Sequence, residues 1–356
     1  MGLNKMVQIL NFNSKLKALA VLILLTIYSQ SSFASSAADV SSDLDQSKSA
    51  HPSQRKYKLI RDSETHHASR DFMRGHPVAA HGHALLAKFG KTHPAALPKA
   101  HDIRLSLAKT IDAANALFPV YDQGNLGSGA ANASAAALQF KGLQEKFDKA
   151  TPSRLFIYYN ERANDSTLDV TQDSGASIAD SLAAITRFGA CPESEWKYSD
   201  DTTSSNPLFT QKPSAKCYAD ALKDADTDST ATAGIPQNSN TLHLFKTILN
   251  HNNPILLGLN LYESFKSDDV AQSGMVPMPN TTSEQLKGGH ALMVTGYNDA
   301  TQRITIRNSW GSSWGDKGYC YVPYDYITNA DLASDFWFVS KVGAKKAASA
   351  SSSSHQ

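Results

Sequence analysis

Asn308-Ser309-Trp310-Gly311-Ser312-Ser313-Trp314-Gly315-Asp316-Lys317-Gly318-Tyr319 is the most informative dodecapeptide in this chain of 356 residues. Taken singly, Trp310 and Trp314 read as core aromatics. The joint pattern Asn-Ser-Trp-Gly-x-x-Trp-Gly-x-x-Gly-Tyr seldom arises by chance. It follows shortly after Gly288-Gly289-His290-Ala291-Leu292-Met293-Val294-Thr295-Gly296-Tyr297, where a histidine opens an apolar strand. Far upstream lies Val120-Tyr121-Asp122-Gln123-Gly124-Asn125-Leu126-Gly127-Ser128-Gly129, a glutamine in a glycine-containing turn.

The turn leads into an alanine-rich run without proline, which predicts a helix over residues 129–147 with Ser128 as N-cap. Further helices are expected at residues 153–162, 178–188, 218–223 and 241–251. Strands are expected at residues 254–261, 290–297, 303–307, 318–322 and 336–341. Residues 200–212 and 224–240 are rich in Ser, Thr, Asp and Asn and read as surface loops. A helical first half and a strand-rich second half predict an α+β protein with two lobes.

At the N-terminus, Lys5, Lys15 and Lys17 precede an apolar run over residues 18–28, and small residues end at Ala34. A basic start, a short apolar stretch and a small-residue cleavage site read as a secretory signal peptide at residues 1–34. The run is too short for a span of about 20 residues. Residues 35–96 are polar and histidine-rich and read as a propeptide-like, partly disordered segment, with a helix possible only near residues 84–89. Its histidines (His51, His66, His67, His76, His81, His83 and His93) read as solvated side chains, with metal pairs or a pH sensor as the other readings. Residues 345–356 form an Ala/Ser tail expected to be disordered.

Net charge is +1, from 34 basic and 33 acidic residues, so no field of one sign points to nucleic acid or acidic lipid. Three cysteines exclude a disulfide-built scaffold and a four-cysteine zinc site. In an oxidising compartment Cys191 and Cys217 can close a loop of about 26 residues, a bridge worth ~3 kcal/mol by loop entropy. Cys320 is then left over, read as a buried thiol acting as a small hydrophobe, with a displaced nucleophile as the other reading.

The three motifs, in order and spacing, resemble the papain-like cysteine peptidases. The resemblance runs from Leu97-Pro98 to Lys341. It includes Asn253-Pro254-Ile255-Leu256-Leu257, and the Asp173-Ser174-Gly175 stretch is similar to the bacterial branch. It implies a papain-like domain over residues 97–344, with a helical lobe, a strand-rich lobe and a groove between them. Peptide hydrolysis by this route needs a thiolate at a helix N-terminus, where the dipole lowers its pKa. It also needs a histidine base, a group that orients the ring, and donors for the oxyanion. The resemblance implies His290 as base, Asn308 as its orienter, Gln123 as oxyanion donor and Trp310 as cover over the Asn308–His290 contact. Asp173, Ser174 and Gly175 would border the groove on the acyl side. No cofactor or metal is implied.

The departure is central. Counting from Gln123, the family's nucleophilic cysteine falls at residue 129, which is Gly129, and glycine cannot attack a carbonyl. Ser128 is a neighbouring hydroxyl but precedes the helix start. The leading expectation is a secreted or periplasmic, monomeric homologue that is proteolytically inactive and binds a peptide or protein in its groove. A second is an active secreted endopeptidase by descent whose residue 129 has been altered. A third is a structural or inhibitory protein whose own N-terminal segment occupies the groove.

Overall fold

The computed structural model describes residues 56, 58–61, 67–146, 151–224 and 231–341. The expected signal peptide, the disordered readings at residues 35–53 and 345–356, and His51 and His66 lie outside the described residues. Contacts separate Met1–Lys48 from Ser49–Gln356, and everything below concerns the second unit.

In chain order the helices are α1 (His67–Gly75), α2 (Pro77–Phe89), α3 (Ile111–Leu117), α4 (Gly129–Glu145), α5 (Arg154–Ala163), α6 (Ile178–Phe188), α7 (Ala215–Asp224), α8 (Thr241–Asn250), α9 (Asp268–Ser273) and α10 (Tyr324–Thr328). The strands are β1 (Ala100–Asp102), β2 (Ala231–Gly234), β3 (Ile255–Tyr262), β4 (Leu286–Asn298), β5 (Arg303–Arg307), β6 (Tyr319–Pro323) and β7 (Ala333–Lys341). They form one antiparallel sheet in the order β2-β7-β3-β4-β5-β6, with β1 added on β4. The class is α+β, because every neighbouring pair is antiparallel and the helices before the sheet pack largely on each other.

The runs Ile255–Leu257 and Ala291–Val294 are buried throughout, as the two central strands of a covered sheet require. Helix α4 lies between α5, α6 and β4. Ala130, Ala131, Ala133, Ala135, Ala136 and Ala137 are all buried along it, and such small side chains let its backbone approach the sheet closely. Helix α6 starts with a reciprocal capping box between Ser177 and Asp180 and stops at Gly189, whose φ of 70° favours glycine.

The expected helices and strands are present, with ends shifted by a few residues. Three expectations need correction. The N-terminal segment is more helical than a single turn near residues 84–89. Both α1 and α2 form, because Met73, Leu86 and Phe89 are buried on α6 and the sheet edge. Their apolar residues are too sparse for the sequence to show a periodic face. The polar insert at residues 224–240 contains β2, whose small Ala-Thr-Ala-Gly sequence carries no alternation. It is made a strand by pairing with β7 and by cover from α2. That cover is close: a Cβ on Gly82 would lie 2.3 Å from the Thr232 carbonyl oxygen. Finally, Ser128 makes no side-chain cap at α4.

Cys191 and Cys217 form a disulfide with Cα atoms 5.3 Å apart, packed on Phe156, Phe188, Trp196 and Tyr218. Cys320 is free and fully buried on β6, and burial pushes its thiol well up. Replacing both bridged cysteines by alanine is expected to lower stability by ~3 kcal/mol in urea unfolding, the loop-entropy value for this spacing. A non-reduced digest should link the Cys191 and Cys217 peptides and leave Cys320 unalkylated until the protein unfolds. A Cys320 that labels rapidly in the folded protein would contradict this.

Candidate active site

Two sheet neighbours bring the downstream motifs together. Met293 on β4 pairs with Arg307 on β5, and continuing that register past the end of β5 sets Trp310 across from His290. The two rings stack at 5.1 Å with 24° between their planes. Trp310 is itself walled by Trp314 at 4.9 Å and Phe265 at 5.8 Å. His290, Asn308 and Trp310 are all buried, so this aromatic wall keeps water from the ring and its partner.

His290 Nε2 lies 2.9 Å from Asn308 Oδ1. The same oxygen accepts the Ser309 backbone N–H at 2.8 Å, which fixes the orientation of the amide. An amide oxygen only accepts, so Nε2 carries the proton and Nδ1 of the neutral ring is left as an acceptor. Nδ1 faces the first residue of α4. A Cβ built on Gly129 would lie 3.1 Å from Nδ1 and 3.4 Å from Cε1. The arrangement can therefore take a proton from an acid placed on residue 129, at a helix N-terminus that favours an anion there.

Gln123 is held by both sides of the groove. Its backbone N–H donates to the Ser309 carbonyl at 2.9 Å, and its Oε1 accepts from the Ser309 hydroxyl at 2.6 Å. Its Nε2 donates to the Leu126 carbonyl at 3.0 Å and reaches the Lys56 carbonyl at 3.5 Å. Ser128 does not belong to this constellation. The Tyr198 hydroxyl donates to the Gln123 carbonyl at 2.9 Å, so at 2.6 Å it accepts from Ser128 Oγ, which in turn accepts from Asn132 Nδ2 at 2.9 Å. The Ser128 proton is committed to Tyr198, away from His290.

Beside the turn that leads into α4, Asp173 Oδ1 accepts the Gly127 N–H at 2.9 Å and the Tyr158 hydroxyl at 2.6 Å. Ser174 turns its hydroxyl to the Gly175 carbonyl at 3.0 Å. Gly175 has φ 76°, and a Cβ there would lie 1.7 Å from the Lys58 carbonyl oxygen, so only glycine lets a second backbone pass. That backbone is the chain's own. Leu59 bridges Ala176 in parallel sense, its N–H donates to the Gly289 carbonyl at 3.0 Å, and Ile60 N–H donates to the Ala176 carbonyl at 3.2 Å. Residues 58–60 thus lie between the two walls of the groove.

The structure brings Gly129, His290, Asn308, Gln123 and Trp310 to one place, with Asp173 and Gly175 on the wall that also carries Gly127 and the start of α4. Sequence reasoning missed two sets of residues. Lys56, Lys58, Leu59 and Ile60 were hidden in a segment read as loose, although Lys-Tyr-Lys-Leu-Ile sets two lysines beside two aliphatic residues. Beneath the Gln123 turn it also missed Arg154, Glu193 and Tyr198. Arg154 and Glu193 form a buried ion pair at 2.6 Å, and the guanidinium lies 3.9 Å from the Tyr198 ring centroid and donates to the Asp122 carbonyl at 3.2 Å. Burial works against its charge, but Glu193 together with Tyr198 and Tyr121 outweighs this and holds Arg154 above its ordinary pKa. Among the described residues no group of three His, Cys, Asp or Glu could hold a metal ion, and no helix is long and apolar enough to cross a membrane.

Comparison with known proteins points to one family. A family model described as papain family cysteine protease matches residues 98–338. An uncharacterized peptidase C1-like protein of Acanthamoeba polyphaga mimivirus is 38% identical over 252 residues, covering 69% of this chain and 76% of that protein. The crystal structure of xylellain, a cysteine protease from Xylella fastidiosa, superposes with a TM-score of 0.65 at 33% identity, covering 82% of this chain and 97% of that one. A procathepsin B from Trypanosoma congolense shares the fold, with a TM-score of 0.52 at 15% identity over 72% of this chain and 80% of that one.

Proposed function

This chain belongs to the papain family of cysteine proteases, and from that membership we propose a secreted or periplasmic homologue that does not hydrolyse peptides and instead holds a peptide or protein segment in its groove. One observation carries the reading: the residue that faces His290 Nδ1 from the start of α4 is Gly129, which has no side-chain atom. Covalent hydrolysis needs a sulfur or oxygen there, and Ser128 is turned to Tyr198. The rest of the constellation supports descent from an enzyme, with His290 as base, Asn308 as orienter, Gln123 as oxyanion donor and Trp310 as cover. Secretion is supported by the basic, apolar and small-residue order of the first 34 residues and by the Cys191–Cys217 bridge.

A second reading is favoured by the backbone bonds of Leu59 and Ile60: the groove is occupied by the chain's own N-terminal segment, which acts as an inhibitory or structural plug. The two readings differ in whether an added peptide can displace residues 56–61.

The protein as written is expected to show no turnover of fluorogenic peptides. Without its nucleophile a protease keeps only ~10³-fold over water from its oxyanion hole and binding, which is lost in assay background. Cleavage that survives repurification and disappears in His290→Ala would overturn the proposal.

A further inference from the structure

The two oxygens of Asp173 have different employment. Oδ1 is used inside the wall, by the Gly127 N–H and the Tyr158 hydroxyl. Oδ2 meets Lys56 Nζ at 3.0 Å and Lys58 Nζ at 3.6 Å. The Lys58 ammonium also donates to the Asp173 backbone carbonyl. With these lysines in place the Asp173 side chain is only 8% exposed. Burial opposes its ionisation, but the hydrogen bonds from Tyr158 and Lys56 and the charge of Lys58 hold its pKa below the ordinary carboxylate value. The wall supplies Oδ1 with hydrogen bonds, and its one nearby cation, Arg162, acts on Asp173 only through space. Arg162, behind Tyr158, directs its guanidinium to the carbonyls of Tyr158, Val170, Gln172 and Phe209.

Next to this acid the groove offers an aliphatic slot. A Cβ on Gly258 would lie 2.5 Å from Leu59 Cδ2, and one on Gly289 would lie 3.2 Å from Leu59 Cβ. Leu59 fills the room that the two glycines leave.

We propose that Asp173 is a specificity-determining residue that restricts the groove to basic peptides, seating a lysine ammonium on Oδ2 beside an aliphatic side chain in the Gly258–Gly289 slot. The proposal rests on the reading of the groove as a peptide-binding site and names the chemical class it takes. The physical reason is asymmetric. An occupant with a cation pairs the carboxylate as it covers it. A neutral occupant of the same shape covers an ionised acid and leaves it unpaired, which is the costly outcome. The chain's own Lys56-x-Lys58-Leu59 shows the arrangement that satisfies the wall.

The test uses the full chain carrying Lys56→Ala and Lys58→Ala, which loosens the resident segment. Two labelled peptides are compared by fluorescence anisotropy: Arg-Lys-Tyr-Lys-Leu-Ile-Arg, the sequence of residues 55–61, and the same peptide with both lysines replaced by norleucine. The lysine peptide is expected to bind about tenfold or more tightly, since one end of the pair is nearly buried. Adding Asp173→Asn should remove that preference. Equal affinity for the two peptides, or a preference that survives Asp173→Asn, overturns the role of Asp173 and leaves the groove a peptide site. Absence of binding by either peptide overturns the peptide-site reading and this proposal with it. Should Asp173→Asn fail to fold, the comparison of the two peptides on the protein that retains Asp173 decides the matter.

Discussion

Gly129→Cys is expected to create thiol-dependent peptide cleavage at least about 10³-fold above the chain as written, since the nucleophile is the part whose loss is most damaging in such sites. The new thiol would start α4, where the helix dipole favours the thiolate, with His290 Nδ1 as its acceptor. The tautomer is already set by Asn308 Oδ1 at 2.9 Å from Nε2. The fit is tight. A Cβ at 3.1 Å from Nδ1 is closer than an ordinary contact, so the imidazole must retreat by a few tenths of an ångström against its stack on Trp310. Recovery is therefore expected to be partial, and to need displacement of residues 56–61 from the groove. The substitution should not weaken the helix, because residue 129 is its first residue and is not among the positive-φ glycines. The decisive comparison is Gly129→Cys against Gly129→Cys with His290→Ala, on one substrate at equal concentration. If both are folded and equally inert, and the thiol resists alkylation at neutral pH, the site has lost more than one atom.

Glu193→Ala should be the most destabilising single truncation near the site, by about 3–5 kcal/mol. Arg154 and Glu193 are nearly fully buried. Glu193 Oε2 accepts the Arg154 N–H at 3.0 Å, and its Oε1 accepts the Tyr198 N–H at 3.2 Å in addition to the guanidinium. Removing the carboxylate leaves a charged guanidinium in the interior between the Tyr121 and Tyr198 rings and orphans two backbone donors. Replacing both partners by apolar residues, Arg154→Met with Glu193→Leu, should cost less than Glu193→Ala alone. Urea unfolding measures all three proteins. A loss below about 1 kcal/mol for Glu193→Ala would mean that water or another group compensates Arg154.

Much of this architecture could be read from the chain because its signals are local. An uninterrupted alanine run marks α4, and the tryptophan motif ties Asn308 to a family whose histidine lies on the preceding strand. What escaped depended on partners far away in sequence. Ser128 has the chemistry of an N-cap, but Tyr198 takes its hydroxyl, and nothing near Ser128 announces that tyrosine. Strand β2 exists through β7, and Lys56–Leu59 acquire meaning only against Asp173, Gly258 and Gly289. The same limit applies to Gly129: the sequence identified the position, while the distance to His290 Nδ1 came from packing α4 on β4.

The seat of the N-terminal segment has a bearing on how the molecule is made. Helix α2 lies on β2, which is a strand only by pairing with β7, and Leu59 bonds to Gly289 on β4. These residues therefore dock on elements that leave the ribosome well after them. The full seat of Leu59 needs β4 in addition to Ala176 and Gly258, and that of α2 needs β2 held by β7 in addition to α1 and α8. Closing such long loops is the slow part of assembly, since their entropy is lost before the contacts repay it. The complete seat of this segment is therefore expected to form late in assembly. Until then the walls around Asp173 and His290 are expected to stay open to a peptide nearby.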